Sequence, residues 1–402
     1  MGLRKLLNPS TLLNYSIIAY ALALPLSKAA TGLFELLSLI FWLSQGGLYK
    51  KWKLLRSSRV IVALGMFVGW SAVSILWATD KLFAMDYVLK YYHFLMVPII
   101  FTGLRKEYFV WVLMAFTFGV VFSAVFSIGM YVDWIAYNND PSYGPSPFMD
   151  HTNYSLYLLM AIFVLLSFYR MFSKFEWLII LAIVILVSAL FINTSRTGPF
   201  IFGFAVIYYM YRVFRFKPIP IVVSVVMVLA TFLVAYQESE NFRERLDYFN
   251  DDLAKMVSEK DFSGSFARRV ALWVLGANVF AEHPVIGTGI GNETAGVSSI
   301  SERYGFNVYR DLNEGQYIDF HNTYIQYAAQ LGVVGIAVLL ILFAEIFRLK
   351  IENTIVNDLK QVHLLIFVFA SMVGLTFHIM SSMVMFSLFT GIFLWCSRKY
   401  QN

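Results

Sequence analysis

Apolar runs of about 17–25 residues recur along nearly the whole chain, and that length is what one helix needs to cross a bilayer. In lipid the backbone must satisfy its own hydrogen bonds, so such runs are helices, whereas a barrel would show shorter alternating segments. The composition agrees: the 402 residues are 59% hydrophobic and 14% charged, against about 25% charged in a soluble domain. The chain is therefore predicted to be an all-α integral membrane protein. About twelve spans are expected near 11–27, 30–47, 60–78, 83–103, 107–133, 153–170, 176–193, 197–214, 218–236, 322–347, 361–380 and 383–398.

Loop charge orients these spans. With the N-terminus inside, one set of loops holds Arg4, Lys5, Lys50, Lys51, Lys53, Arg56, Arg59, Arg105, Lys106, Arg170, Lys174, Arg212, Arg215, Lys217, Arg348, Lys350, Lys360, Arg398 and Lys399. The opposite short loops hold only Lys28, Lys81 and Arg196. The positive-inside rule then puts both termini in the cytoplasm and the longest loop outside. The net charge of +6 is read as topogenic, and basic residues scattered over short loops argue against nucleic acid as a partner. The single cysteine, Cys396, excludes an intrachain disulfide and a multi-cysteine metal site. The first apolar run, after Arg4 and Lys5, lacks a convincing signal-cleavage site and leads straight into another span.

The chain thus divides into residues 1–236 (spans one to nine), an outer loop over 237–320, and 321–402 (the last three spans). A second outer loop, near 134–152, is rich in turn residues. A connection as long as 237–320 is itself a functional signal. It opens on a charged stretch, 238–260, read as a helix whose Asp251 and Asp252 belong to a solvated face. An amphipathic helix over 263–284 follows, with Ser263 or Ser265 as its expected cap and Pro284 as its end. The run 286-IGTGIGN-292 reads as a turn, because no strand precedes it and no helix follows it.

His321 stands where this polar loop gives way to an apolar span, in 321-HNTYIQYAAQLGVVG-335. An imidazole at that seam meets both water and lipid and can take a proton from a hydroxyl near neutral pH. The plainer alternative is an interfacial histidine bonded to a backbone carbonyl. Asn322 follows it, and Gly332 and Gly335 read as small residues for close helix packing. Arg268 and Arg269 point about 100° apart on a helix. Arg269 shares a face with Trp273 four residues on. A guanidinium here can hold phosphate oxygens by its fork or snorkel to lipid headgroups. Arg196, in 193-NTSRTG-198, lies at a tight outer turn where the positive-inside rule predicts no arginine, so it is a functional candidate or a simple turn residue.

Lys81, Asp86, Lys90 and His93 fall in or beside the fourth span, with Asp86 and Lys90 spaced to pair inside the bundle and a role in substrate binding as the alternative. Asp150 and His151 open the sixth span from outside and could line the same cavity as the arginines. His283, His363 and His378 read as structural. No nucleotide motif or metal-ligand spacing occurs, so neither cofactor nor metal is expected.

Together these residues resemble the O-antigen ligase and O-antigen polymerase superfamily of bacterial envelope enzymes. The resemblance rests on an outer-turn arginine (Arg196), then a large loop with an arginine four before an aromatic (Arg269 and Trp273). The run 284-PVIGTGIGN-292 follows, and His-Asn (His321, Asn322) opens a span with Gly332 and Gly335. It implies a GT-C-like glycosyltransferase architecture in the bacterial inner membrane, working on the periplasmic face. It further implies a metal-independent, inverting transfer of a glycan from undecaprenyl diphosphate to an acceptor hydroxyl. In ligases the acceptor is a sugar of the lipid A–core oligosaccharide; in polymerases it is another lipid-linked glycan. By that resemblance His321 is the base, and Arg196, Arg269 and Arg268 bind the diphosphate. Asn322, Trp273, Lys81 and His151 are supporting candidates.

A single dominant outer loop favours the ligase, with an O-antigen or capsule polymerase as the alternative. A transporter or flippase is disfavoured because no inverted repeat is visible and the polar centre lies outside the midplane. A non-enzymatic envelope scaffold is the remaining class, and it would tolerate loss of His321.

Overall fold

The computed structural model describes residues 8–137, 144–171, 176–195, 197–215, 217–238, 240–292, 297–304 and 319–398. Among these residues the chain is wholly helical. The α-helices are α1 Pro9–Ala23, α2 Lys28–Ser44, α3 Leu48–Ser57, α4 Arg59–Val73, α5 Lys81–Leu89, α6 Met96–Gly103, α7 Phe109–Tyr131, α8 His151–Met171 and α9 Glu176–Ile192. They continue as α10 Thr197–Val213, α11 Pro218–Glu238, α12 Glu240–Ser258, α13 Ser265–Glu282, α14 Val297–Tyr304, α15 Thr323–Arg348, α16 Thr354–Ala370 and α17 Met380–Cys396.

Among the described residues, five helical stretches can cross a membrane by length and composition: Arg59–Leu76, Lys106–Tyr131, His151–Met171, Pro218–Glu238 and Thr323–Arg348. Glu176–Ile192 and Met380–Cys396 are apolar but shorter. α2 and α3 meet at a bend of 113°. An exposed apolar face runs the length of α11, through Ile219, Val222, Val226, Met227, Leu229 and Leu233. So large an apolar patch needs lipid or protein to cover it.

The interior is dense in aromatic rings. Phe67 packs on Tyr91, Tyr327 and Phe377, and Phe94, Phe367 and Phe386 close the cluster. The hydroxyls of Tyr91 and Tyr327 lie 3.0 Å apart, and that of Tyr327 donates to the Phe377 carbonyl at 3.0 Å. Their buried polar atoms are thus satisfied, as an apolar core requires. At one end of the bundle Asp358, one turn into α16, receives Arg170 from the end of α8 at 3.1 Å and Arg212 from the end of α10 at 3.2 Å. The cations at the ends of α8 and α10 also suit their helix dipoles.

The structure departs from the sequence expectations in several places. The fourth expected span is not one helix: it runs as α5, a 3-10 turn over Lys90–Leu95, and α6. Asp86 and Lys90 pair at 3.3 Å, but on the exposed side of that segment rather than inside the bundle. His93 turns inward instead and meets Glu35 of α2 at 2.8 Å, both buried. Lys360, counted above as a loop cation, is buried within α16, where its ammonium donates to the carbonyls of Phe347 and Leu349 at 3.0 and 2.5 Å. His363 packs among Phe367, Phe386, Phe389 and Phe393, and His378 stacks on Tyr87, both as the structural reading expects. Arg4, Lys5, Lys174 and Lys399 lie outside the described residues.

α15 is broken. Gly332 sits inside it at φ 66°, ψ −166°, a conformation that only glycine adopts readily. The break frees backbone groups on both sides, and the segment 284–290 takes them up. The N–H groups of Thr288 and Gly289 donate to the carbonyls of Ala329 and Gln330 at 3.0 and 2.9 Å. The Val333 N–H donates to the Pro284 carbonyl at 2.8 Å. Trp70 Nε1 from α4 donates to the Leu331 carbonyl at 3.1 Å, and Ser74 Oγ accepts from the Ile290 N–H at 3.1 Å. The glycine-rich run is thus no free turn, and Gly332 is no simple packing residue. Non-helical backbone at membrane depth survives only where protein satisfies it, which is what this insertion does.

Candidate functional site

Two helices set the site. α13 begins at Ser265 with Gly264 as its cap residue and no capping side chain of its own. The expected serine caps are replaced by Asp252 of α12, whose Oδ2 accepts from the N–H groups of Phe266 at 2.6 Å and Ala267 at 3.4 Å. Asp252 is buried, which corrects its reading as part of a solvated face. The carboxylate satisfies donors that would otherwise be orphaned and places a negative charge at the positive end of α13. It thereby fixes the helix that carries Arg268 and Arg269.

α15 begins one residue after Asn322. Asn322 Oδ1 accepts from the N–H groups of Tyr324 and Ile325 at 3.0 and 3.1 Å, an N-cap. Its Nδ2 donates to the Met372 carbonyl at 2.9 Å. Gln326 reaches back to accept from the Phe320 N–H at 3.0 Å, and Thr323 Oγ1 donates to the Gly374 carbonyl at 2.6 Å. The backbone before α15 is therefore held from both sides. α13 closes on it at Gly276, where any Cβ would strike the Phe320 ring and Ile325.

His321 occupies the tight turn between these anchors with φ +48°, a left-handed conformation uncommon outside glycine. That geometry folds it back on Asp319. Asp319 Oδ1 accepts from the His321 backbone N–H at 2.5 Å, and Oδ2 lies 3.4 Å from His321 Nδ1. The imidazole side chain stays 45% exposed and that of Asp319 26%. A carboxylate beside Nδ1 favours the proton on that nitrogen and leaves Nε2 as the acceptor.

Arg269 acts electrostatically on both members of the pair, and Arg268 on His321. Burial is the main force lowering the His321 pKa; Asp319 opposes it, and the two arginines reinforce it. Burial likewise raises that of Asp319 against the pull of His321 and Arg269. Burial also lowers the Arg269 pKa, countered by Asp319, but a guanidinium remains cationic. An imidazole that is neutral near pH 7 can accept a proton, and a part-buried guanidinium can stabilise an anion there.

His321 thus lies within electrostatic reach of both Arg269 and Arg268. Arg268 is the more exposed arginine, and its Nη2 donates to the Ser263 carbonyl at 3.1 Å. Trp273 lies one turn beyond Arg269, with its Nε1 buried and without a partner among the described residues. Lys81 is exposed at the start of α5. His151 starts α8, and its carbonyl accepts from Asn193 Nδ2 at 2.9 Å, which ties it to the turn preceding Arg196. Arg196 itself lies outside the described residues. Asp319 is the residue that sequence reasoning missed. Its signal was an acid two before the histidine, a spacing that brings them together only if the chain reverses between them.

No curated protein matches the sequence. Residues 181–340 match the family model described as O-antigen ligase. The matched segment begins in α9, takes in α10 to α14 and the Asp319–His321 turn, and ends beyond the break in α15. Over that segment the chain is thus similar to the O-antigen ligase family, and the segment contains His321, Arg268 and Arg269.

Proposed function

We propose that the protein is an O-antigen ligase that moves a glycan from undecaprenyl diphosphate to a sugar hydroxyl of the lipid A–core oligosaccharide. The observation that carries this reading is an Asp319–His321 pair just before α15, within electrostatic reach of Arg269. His321 Nε2 takes the proton from the acceptor hydroxyl as its oxygen attacks the anomeric carbon. The bond to the diphosphate breaks with inversion, and the negative charge on the departing diphosphate is met by Arg269, with Arg268 and Arg196 as further cations. Asp319 holds the imidazole in the tautomer the step needs and stabilises its protonated form. With cations supplied by side chains, the transfer proceeds without a metal.

In this reading the helices form about twelve spans with both termini in the cytoplasm of the inner membrane. α12 to α14 belong to a periplasmic segment over 237–320, between membrane parts 1–236 and 321–402. The site would then sit at the periplasmic surface, within reach of a lipid-borne donor and a lipid-borne acceptor.

The test supplies purified protein with a defined lipid-linked glycan and lipid A–core together, with and without chelator. The expected product is glycan on lipid A–core, unchanged by chelator. Longer lipid-linked chains with no lipid A–core product would make the protein a polymerase, and loss of activity in chelator would remove the metal-free mechanism.

A further inference from the structure

The far end of α15 carries a second feature that the proposed transfer does not use. α4 packs along α15 so that Trp70 meets Leu331, while Arg59 shares a cavity with Arg348. The cavity, about 450 Å³, is lined by Arg59, Glu345, Arg348 and Lys350. A narrower slot of about 220 Å³ adjoins it, sharing Arg59 and Glu345 and running over Val62, Met66 and Ile341. Arg56 also lines it. Four cations face one carboxylate, and Glu345 is already paired with Arg348 at 3.3 Å. The surplus is positive, and the slot below it is apolar, with Val62, Met66 and Ile341 all exposed.

The helix leading into this cavity points the same way. α3 carries Lys50, Lys51, Lys53 and Arg56 and also exposes Tyr49 and Trp52. Its sharp bend away from α2, with basic and aromatic residues together, is the make-up of a helix lying in a membrane surface. Lys51 anchors the bend by donating to the Trp42 carbonyl at 2.5 Å and sitting 4.3 Å above the Trp42 ring.

We infer that this cavity and slot form a binding site for an anionic glycerophospholipid, with the phosphate between Arg59, Arg348 and Lys350 and one acyl chain along Val62, Met66 and Ile341. Cations close to an anionic headgroup, above a lipid-facing apolar groove, give the recognition that neither a free phosphate nor a zwitterionic lipid matches. α15 runs from Thr323 to Arg348, at about 1.5 Å per residue where helical, so the site lies at the end of that helix away from His321. It holds whichever way the chain crosses the bilayer.

Native mass spectrometry on the full-length protein in detergent tests this. Dioleoyl phosphatidylglycerol should be retained at concentrations where dioleoyl phosphatidylcholine is not, and a tenfold excess of inorganic phosphate should not displace it. The double variant Arg59→Gln, Arg348→Gln should weaken that binding about thirtyfold. Equal retention of the two lipids, or displacement by phosphate, would overturn the inference, as would wild-type binding in a double variant with an unchanged melting temperature. Should that variant not fold, a phosphatidylglycerol with a photoreactive acyl chain decides on the wild-type protein. Label at Val62, Met66 or Ile341 supports the site, and label confined to other segments overturns it.

Discussion

The backbone is irregular inside α15 and again just before it, and the two places differ in what their polar atoms do. At Gly332 the helix breaks, yet the freed backbone groups on either side are taken up by the 284–290 segment and Trp70. At His321 the backbone is again in a conformation uncommon for its residue type, but the imidazole beside Asp319 stays 45% exposed. The second costs conformational energy, of order 1–3 kcal/mol, whereas glycine adopts the first readily. The first serves architecture, joining the 284–290 segment to the bundle. The second leaves a half-exposed imidazole within electrostatic reach of arginine, which packing alone does not require.

Substitutions can break or sharpen this contrast. His321→Ala should lower transfer by about 10³-fold or more while the melting temperature stays within a few degrees; an equal loss of stability would make the two irregularities alike. Arg269→Lys keeps the charge but loses the fork, and should reduce the rate by about 10²-fold; wild-type turnover there would leave Arg269 as a lipid anchor. Gly332→Ala should act in the opposite sense, destabilising the protein by about 2–3 kcal/mol, because its Cβ would strike the Val285 backbone. Thermal unfolding in detergent reads this directly.

Smaller effects follow from charge. Asp319 raises the His321 pKa against the lowering by burial and the arginines. In Asp319→Asn the imidazole should therefore lose its proton at lower pH, moving the acid limb of the pH–rate profile downward while kcat falls. Arg268→Ala should be mildest, because that side chain is largely exposed and engaged with the Ser263 carbonyl; it removes a charge that lowers the His321 pKa, so the acid limb should move slightly upward.

Much of this was readable in the chain itself. Apolar run lengths foretold an all-helical structure, and the seam at His321 with Arg268 and Arg269 in the preceding helix marked the residues that come together. What stayed hidden depends on partners distant in sequence or on reversal of the chain. Glu35 is a lone acid in an apolar run, and its partner His93 is 58 residues away. Asp252 sits in a charged stretch, and only the packing of α12 on α13 turns it into a cap. The Gly332 break leaves the apolar pattern of α15 intact, because the groups that satisfy it come from a loop more than 40 residues earlier. Asp319 meets His321 only through a left-handed turn that no residue-type preference announces.

The central claim is that His321 accepts the proton of the incoming sugar. The most direct measurement is single-turnover glycan transfer by the His321→Gln variant, with binding of the lipid-linked donor followed in the same preparation. Donor binding within about threefold of wild type, with transfer slowed by about 10³-fold, is the expected result. Transfer at the wild-type rate would contradict it and return this imidazole to an ordinary place at the membrane surface.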